Sequence, residues 1–514
     1  MNERLQAICD LLVPQVREYV GLHSYDGRVQ DLSPDGVRAG LARLGGPPFA
    51  DPLDEAYAAT REQSLRIELG ELELHRRSPL RHLEALDLSC YDREYAAAEE
   101  RAEARRRHLA AWPDAVDAAL TSLDRVSSPV AGALLAPVRG LAADLDAGDP
   151  LAARALAAHA RLVEHVEACA RDGDPDASLG AASLARLLSA SEAVEVDLGR
   201  LEERADAERD RLGGLLADAC GRIAPGRRRG EVVAELASDH PDAAGVIAEA
   251  RAVTAEVIEF TRELGLVPGL DGECLVGPAP PSRRWALAMM CPAAPYEADA
   301  PSRYYITPPD PSWPAEDQEQ WLEVFSRSSL PAITLHEVAP GHFAHGRCLR
   351  RVTGDVRRTL HSEAFVEGWA HYAEELCLDE GFRDGDPRFA VGVAVEALQR
   401  VTRLAVSIGL HSGSMTVDDA VARFESDAFI RGSAARAEAT RATFDPTYGR
   451  YTWGKLEILA LRERARATWG AAYSHQRFHA ALLALGSPPL GLTGHALDGG
   501  PRDEEAGGSA PPAP

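Results

Sequence analysis

No run of roughly 18 apolar residues, the length needed to span a bilayer as a helix, occurs in the 514-residue chain. The opening stretch, MNERLQAICDLLVPQVREYV, lacks both a basic segment leading into an apolar one and a small-residue cleavage site. It therefore reads as an amphipathic charged segment and not as a secretory leader. Paired cysteines are also missing. Cys9, Cys90, Cys169, Cys220, Cys274, Cys291, Cys348 and Cys377 are scattered with no CxxC among them, which excludes a zinc ribbon or a thioredoxin-like centre and leaves them as small buried hydrophobes. Positive charge is in deficit, 55 Lys and Arg against 80 Asp and Glu for a net charge of −25. That balance argues against nucleic acid or an anionic membrane as a partner. No fixed-period repeat is present, so a solenoid is not expected. What remains is an acidic, soluble enzyme, expected in the cytoplasm, whose oligomeric state the sequence leaves open.

Residues 1 to about 265 are dominated by Ala, Leu, Arg, Asp and Glu, with apolar positions recurring at three and four, and are expected to be largely helical. Ser127-Ser128-Pro129, Asp146 to Pro150, Asp172 to Pro175, Pro225-Gly226 and Asp239 to Pro241 punctuate them as helix stops and caps. Tyr95 to Trp112 mixes charges of both signs and reads as a solvated helix face. Between about 266 and 315 Pro and Gly rise, and two strands are expected, Trp285 to Cys291 and Arg303 to Thr307. Residues 266–493 are assigned to one catalytic region. The stretch 494–514, rich in Gly, Pro, Ala and acidic residues, is expected to be a disordered tail. The fold class is mainly α with a small β-sheet.

The chemistry concentrates in Pro331 to Glu375. His336-Glu337 is followed by Pro340-Gly341-His342. In an HExxH helix two histidines four apart face one metal and the Glu activates water. Here the second histidine is six residues on, a turn of about 600° on a regular helix, so a bulge or break at Pro340-Gly341 is required. Downstream, Glu363, Glu367, His371 and Glu374 recur at helical spacings with Phe365, Trp369 and Tyr372 to pack them. Two imidazoles and one carboxylate would hold zinc and leave a position open. Ser328-Ser329-Leu330-Pro331 is expected to open the first metal helix, with a serine capping it. Trp321 to Phe325 suggests a short packed helix upstream. Phe389 to Gly409 reads as a long helix ending at Gly409, and Met415 to Asp419 as a turn and cap into the next.

HEVAPGH and EGWAHYAEE resemble the bacterial family known as domain of unknown function 885, grouped with the zincin-like peptidases, in which HExxPGH and EGWAxYxE recur. Further elements that resemble it are Ile408 to His411, the pattern Arg441, Pro446, Tyr451, Gly454 and Lys455, and Phe478 to Leu490. The family often carries an Asp at or near Ser407, from which this chain departs. The resemblance implies a zincin-like helical architecture with a small sheet ahead of the HE helix, whose edge, expected at Arg303 to Thr307, could pair with an extended peptide or serve as a plain structural hairpin. It also implies that His336, His342 and Glu367 are the ligands of one zinc per chain, with manganese or cobalt able to substitute. Glu367 is preferred to Glu363 because it matches the motif. His371 and Glu374 would support the ligands from behind, and His345 is a weaker metal candidate.

The function expected is a zinc-dependent hydrolase of short peptides, of exopeptidase, dipeptidase or carboxypeptidase type, in which Glu337 takes a proton from the attacking water and Tyr451 stabilises the oxyanion. Tyr451, Lys455 and Arg462 are expected on one helix facing the cleft. Arg441, Lys455 or Arg462 could anchor a substrate carboxylate, Glu363, outside the motif, is a candidate to support the ligands or contact substrate, and His411 is either a substrate contact or structural. The alternatives are an inactive zincin-like binding protein and a hydrolase of a non-peptide amide.

Overall fold

The computed structural model describes residues 1–498 apart from 281, 282, 285, 298 and 299. Up to Glu263 the described chain is helix, turn and loop, as the apolar spacing predicts. Asp149 starts Pro150–Asp172 at the expected break by accepting a hydrogen bond from the Leu151 N–H. The solvated helix near Tyr95 is Ala98–Ala110, which buries only Ala104, His108 and Leu109. Among the described residues no helix is long and apolar enough to cross a membrane, and all eight cysteines are free.

Three strands follow: β1 (Cys274–Pro278), β2 (Ala288–Cys291) and β3 (Ser302–Ile306), ordered β1-β3-β2. β1 lies parallel to β3 with Val276 opposite Tyr304, and β2 lies antiparallel with Met290 opposite the same tyrosine. The expected Arg303 to Thr307 strand is therefore the centre of the sheet and not an edge. Both its backbone sides are paired, so a peptide cannot add to it. The sequence reading missed β1, a five-residue segment containing Gly and Pro. Trp285, the expected start of β2, lies outside the described residues. Along β3 the residues alternate, and Tyr304 and Ile306 point into the core. The Tyr304 hydroxyl shares a 3.3 Å hydrogen bond with Thr334 Oγ1, so the sheet seats the helix Leu330–Glu337 that carries His336.

That helix is buried at every position from Leu330 to His336. Ser329 precedes it but does not cap it, because its backbone is already helical (φ −90°, ψ −36°); Ser326 Oγ accepts from the Ser329 N–H instead. Upstream, Ala315–Glu323 is the short helix expected around Trp321. Pro387–Ser412 runs past Gly409, and Gly413 ends it in the left-handed conformation (φ 77°). Gly409 is small for another reason, since the Met415 side chain lies against it. The expected cap at Thr416 is a full capping box with Asp419.

One hydrophobic core joins Leu184 to Ala496 and includes Val253, Phe325, Phe343, Trp369 and Leu404. The helices Ala181–Glu192, Leu198–Ile223 and Val246–Glu263 thus share it with the region around His336. The stretch from Gly494, expected to be disordered, begins with a short helix, His495–Asp498, because Ala496 is buried in this core. Residues beyond 498 lie outside the described chain.

Two helices meet without side chains between them. A Cβ on Gly368 of Glu363–Asp379 would strike the backbone of Gly454, and one on Gly454 of Arg450–Trp469 would strike the Ala364 carbonyl oxygen. Backbone cannot move aside as a flexible side chain can. Gly454→Ala should therefore cost roughly 1 to 3 kcal/mol or more in denaturant unfolding. Gly132→Ala, in a helix where an added Cβ meets nothing within 4 Å, should be neutral or stabilise by up to about 1 kcal/mol.

Candidate metal centre

The expected break is complete. The His336 helix ends at Glu337, Ala339-Pro340 is a cis peptide, and a new helix begins at His342. Gly341 makes the reversal possible, since a Cβ there would collide with the carbonyl oxygens of Leu335 and His336. The buried Trp369 indole N–H donates to the Pro340 carbonyl at 2.8 Å, which fastens the turn to the helix Glu363–Asp379. The two imidazoles consequently meet edge to face, 4.7 Å between centroids, with Glu367 facing both.

His336 Nε2 stands 3.4 Å and His342 Nε2 3.5 Å from Glu367 Oε2, and the three donor atoms lie within 4.8 Å of one another. These spacings are too long for good hydrogen bonds, and the buried Glu367 Oε2 has no hydrogen-bond partner. Ligand atoms about 2.1 Å from a single tetrahedral ion stand about 3.4 Å apart. The donor set and its unsatisfied oxygen thus fit a divalent ion such as zinc. Burial opposes ionisation of Glu367, but the two histidines hold its carboxyl well below the usual range.

The orientation of His336 is fixed from behind. Its Nδ1 bonds Glu374 at 2.7 Å, and the other Glu374 oxygen accepts from Arg400 at 2.9 Å. Burial and the Arg400 guanidinium oppose protonation of His336, yet Glu367 and Glu374 prevail and raise it to about 9. Burial likewise works against the Glu374 carboxylate, and Arg400 and His336 outweigh it to keep its pKa low. Arg400 went unread in the sequence; the available signal was an arginine four residues after Glu396 on a helix whose other face is apolar.

Glu337 is half-buried beside these ligands and makes no hydrogen bond or ion pair among the described residues. The Tyr451 ring is stacked 6.5 Å from that of His336, and its hydroxyl has no hydrogen-bond partner among the described residues. Burial and the nearby Glu367 raise the phenol pKa, so the hydroxyl keeps its proton at neutral pH.

Other expected residues sit elsewhere. His345 is buried with Nε2 3.1 Å from Ser487 Oγ, outside the ligand set. Glu363 is largely exposed and reaches Arg450 at 3.4 Å. His371 is buried with both ring nitrogens unpartnered, 3.7 Å from Glu374. Lys455 does not face the cleft: it is fully buried and bonds Glu208 and Glu375, each at 2.7 Å. Arg462 is also turned away, over the Tyr372 ring. His411 Nε2 bonds the Ala442 carbonyl at 2.9 Å, a structural role. Ser407, where the family often has Asp, bonds the Pro446 carbonyl.

Two outcomes are expected. Glu374→Gln should weaken zinc binding roughly 10- to 100-fold in a chelator competition, because a neutral amide no longer holds the imidazole as strongly. In the metal-free protein His336 keeps its proton up to about pH 9, so zinc uptake must expel it. Apparent affinity should then rise with pH until that value and fall as pH drops below it. Calorimetry in buffers of differing ionisation enthalpy measures the released proton; an affinity flat from neutrality to about pH 9 contradicts the assignment.

Over residues 14–494 the chain matches the family described as "Bacterial protein of unknown function (DUF885)". Two solved structures, of bacterial proteins called putative lipoproteins, have the same fold. The Shewanella oneidensis protein is 19% identical and the Colwellia psychrerythraea protein 16% identical, each with a TM-score of 0.76 and with 96% of both chains covered. No curated protein matches. The family match leaves out only the first residues and the segment after 494, and the chain belongs to the DUF885 family.

Proposed function

We propose that this chain is a metal-dependent hydrolase of short peptides, with a zincin-like centre in which His336, His342 and Glu367 hold zinc. The observation that carries the reading is the convergence of three ligand atoms on one point, with an unpartnered carboxylate and an unpartnered phenol beside it. A bound zinc ion would supply Lewis acidity, polarising a water molecule and the carbonyl to be cleaved.

Each remaining part of the reaction falls to a residue of the chain. Glu337 accepts a proton from the water as its oxygen attacks the carbonyl carbon. Tyr451 donates a hydrogen bond to the oxygen that gains negative charge, and its fixed position means that no reorganisation is needed as the charge appears. When the carbon–nitrogen bond breaks, Glu337 returns the proton to the leaving nitrogen, giving a carboxylate and an amine. Glu374 and Arg400 keep the imidazole of His336 aimed throughout.

Glu337→Gln should retain about one zinc per chain by elemental analysis and lose roughly 100- to 10,000-fold in rate on a mixed short-peptide library. Equal cleavage by the variant and the unchanged protein would remove Glu337 from the mechanism. Absence of cleavage by zinc-loaded unchanged protein would favour a binding protein built on the same scaffold.

A further inference from the structure

The wall of the site that carries Tyr451 holds three guanidiniums, Arg403, Arg441 and Arg450, and they are unequally neutralised. Arg403 makes paired bonds to Glu438 at 2.8 and 2.9 Å, and Glu438 also accepts from the Tyr448 hydroxyl. Arg450 makes paired bonds to both oxygens of Asp445 at 2.8 and 3.0 Å. Its further contact, Glu363 at 3.4 Å, is 62% exposed and screened by solvent. Arg441 is left with one 3.5 Å contact to Asp445, a carboxylate already occupied by Arg450. A guanidinium offers five donors in a planar fork, and most of the fork of Arg441 is unused.

Its surroundings put that guanidinium beside Tyr451. Arg441 packs over the Tyr448 ring at 4.4 Å, Arg403 lies over Tyr448 at 4.9 Å and over Tyr451 at 5.2 Å, and Arg450 lies over Tyr451 at 5.5 Å. Arg441 is close enough to the Tyr451 phenol to favour its ionisation electrostatically, and Tyr451 is stacked toward His336. The Arg441 side chain is 37% exposed, whereas Lys455 is fully buried between two glutamates and Arg462 packs over the Tyr372 ring.

We propose that Arg441 is the subsite for the free carboxyl terminus of the peptide, so that the substrates are short peptides cut near that end. A carboxylate matches the fork with two parallel bonds and gives Arg441 the partner that Asp445 supplies only weakly. The inference rests on the hydrolase reading of the same site and narrows it. Arg441 binds substrate away from the scissile bond, and the proton transfers remain with Glu337.

The test separates the two readings by measuring binding apart from turnover. Zinc-loaded Glu337→Gln protein, alone and combined with Arg441→Gln or Arg441→Lys, is titrated calorimetrically with N-acetyl-Phe-Ala and with its carboxyl-terminal amide. With Arg441 present, the free acid should bind roughly 10- to 100-fold tighter than the amide. Arg441→Gln should abolish that preference and leave amide binding unchanged, and Arg441→Lys should keep part of it. Thermal melts check that each variant is folded, and the lysine variant decides the matter should the glutamine one unfold. A preference for the acid that survives Arg441→Gln, through direct ligation of the metal for example, overturns the subsite, as does equal binding of acid and amide before the substitution. Failure of the unchanged enzyme to cleave either peptide, with the Arg441-dependent preference intact, would count against hydrolysis and leave the carboxylate subsite standing.

Discussion

The centre depends on one reversal of the backbone, between Glu337 and His342. Two histidines six residues apart cannot face a common point from a continuous helix, and the chain solves this by ending one helix and starting another within four residues. The solution needs a residue without a side chain at Gly341, where the carbonyls of Leu335 and His336 close in. It also needs an external clamp, because a loop this tight has few internal bonds. Trp369 provides the clamp from the helix that brings Glu367, so the turn and the carboxylate that faces both histidines are positioned by the same element.

Around this turn the protein buries a large number of charges, and it does so in compensated groups. Glu374 is shared between His336 and Arg400, and Lys455 is shared between Glu208 and Glu375, with Arg211 completing the set. A buried ion without its partner is far more expensive than the pair is favourable. Such groups therefore fix which helices lie together more than they add to stability. The second group ties Leu198–Ile223 to both Glu363–Asp379 and Arg450–Trp469, three helices far apart in the sequence.

The candidate ligands His336 and His342 stood out by residue type, Glu367 by its place in the EGWAxYxE pattern, and helix geometry demanded the break that the chain makes at Pro340-Gly341. Helical character was legible for a similar reason, since amphipathic periodicity is local. What escaped was long-range pairing. Arg400 reads like the neighbouring Glu396 and Arg403, one more polar residue of its helix, until its partner 26 positions earlier is known. Lys455 stands one turn from Tyr451 and was expected on the cleft, but the contact of Gly368 with Gly454 presses that turn of the helix against its neighbour. The strand β1 was missed because five residues containing Gly and Pro carry little periodic signal, and without it β3 looked like an edge.

Ser487, well beyond the ligands in the sequence, accepts a hydrogen bond from the Ser362 N–H through its carbonyl and meets His345 through its hydroxyl. A few residues later the Leu490 N–H donates to Glu192, which also receives the Ser362 hydroxyl. His345 and Ser362, both within the segment from His336 to Glu367, are thus latched by chain that leaves the ribosome long after them. During synthesis the His336 to Glu367 segment therefore stays incompletely packed until Ser487 and Leu490 have been made.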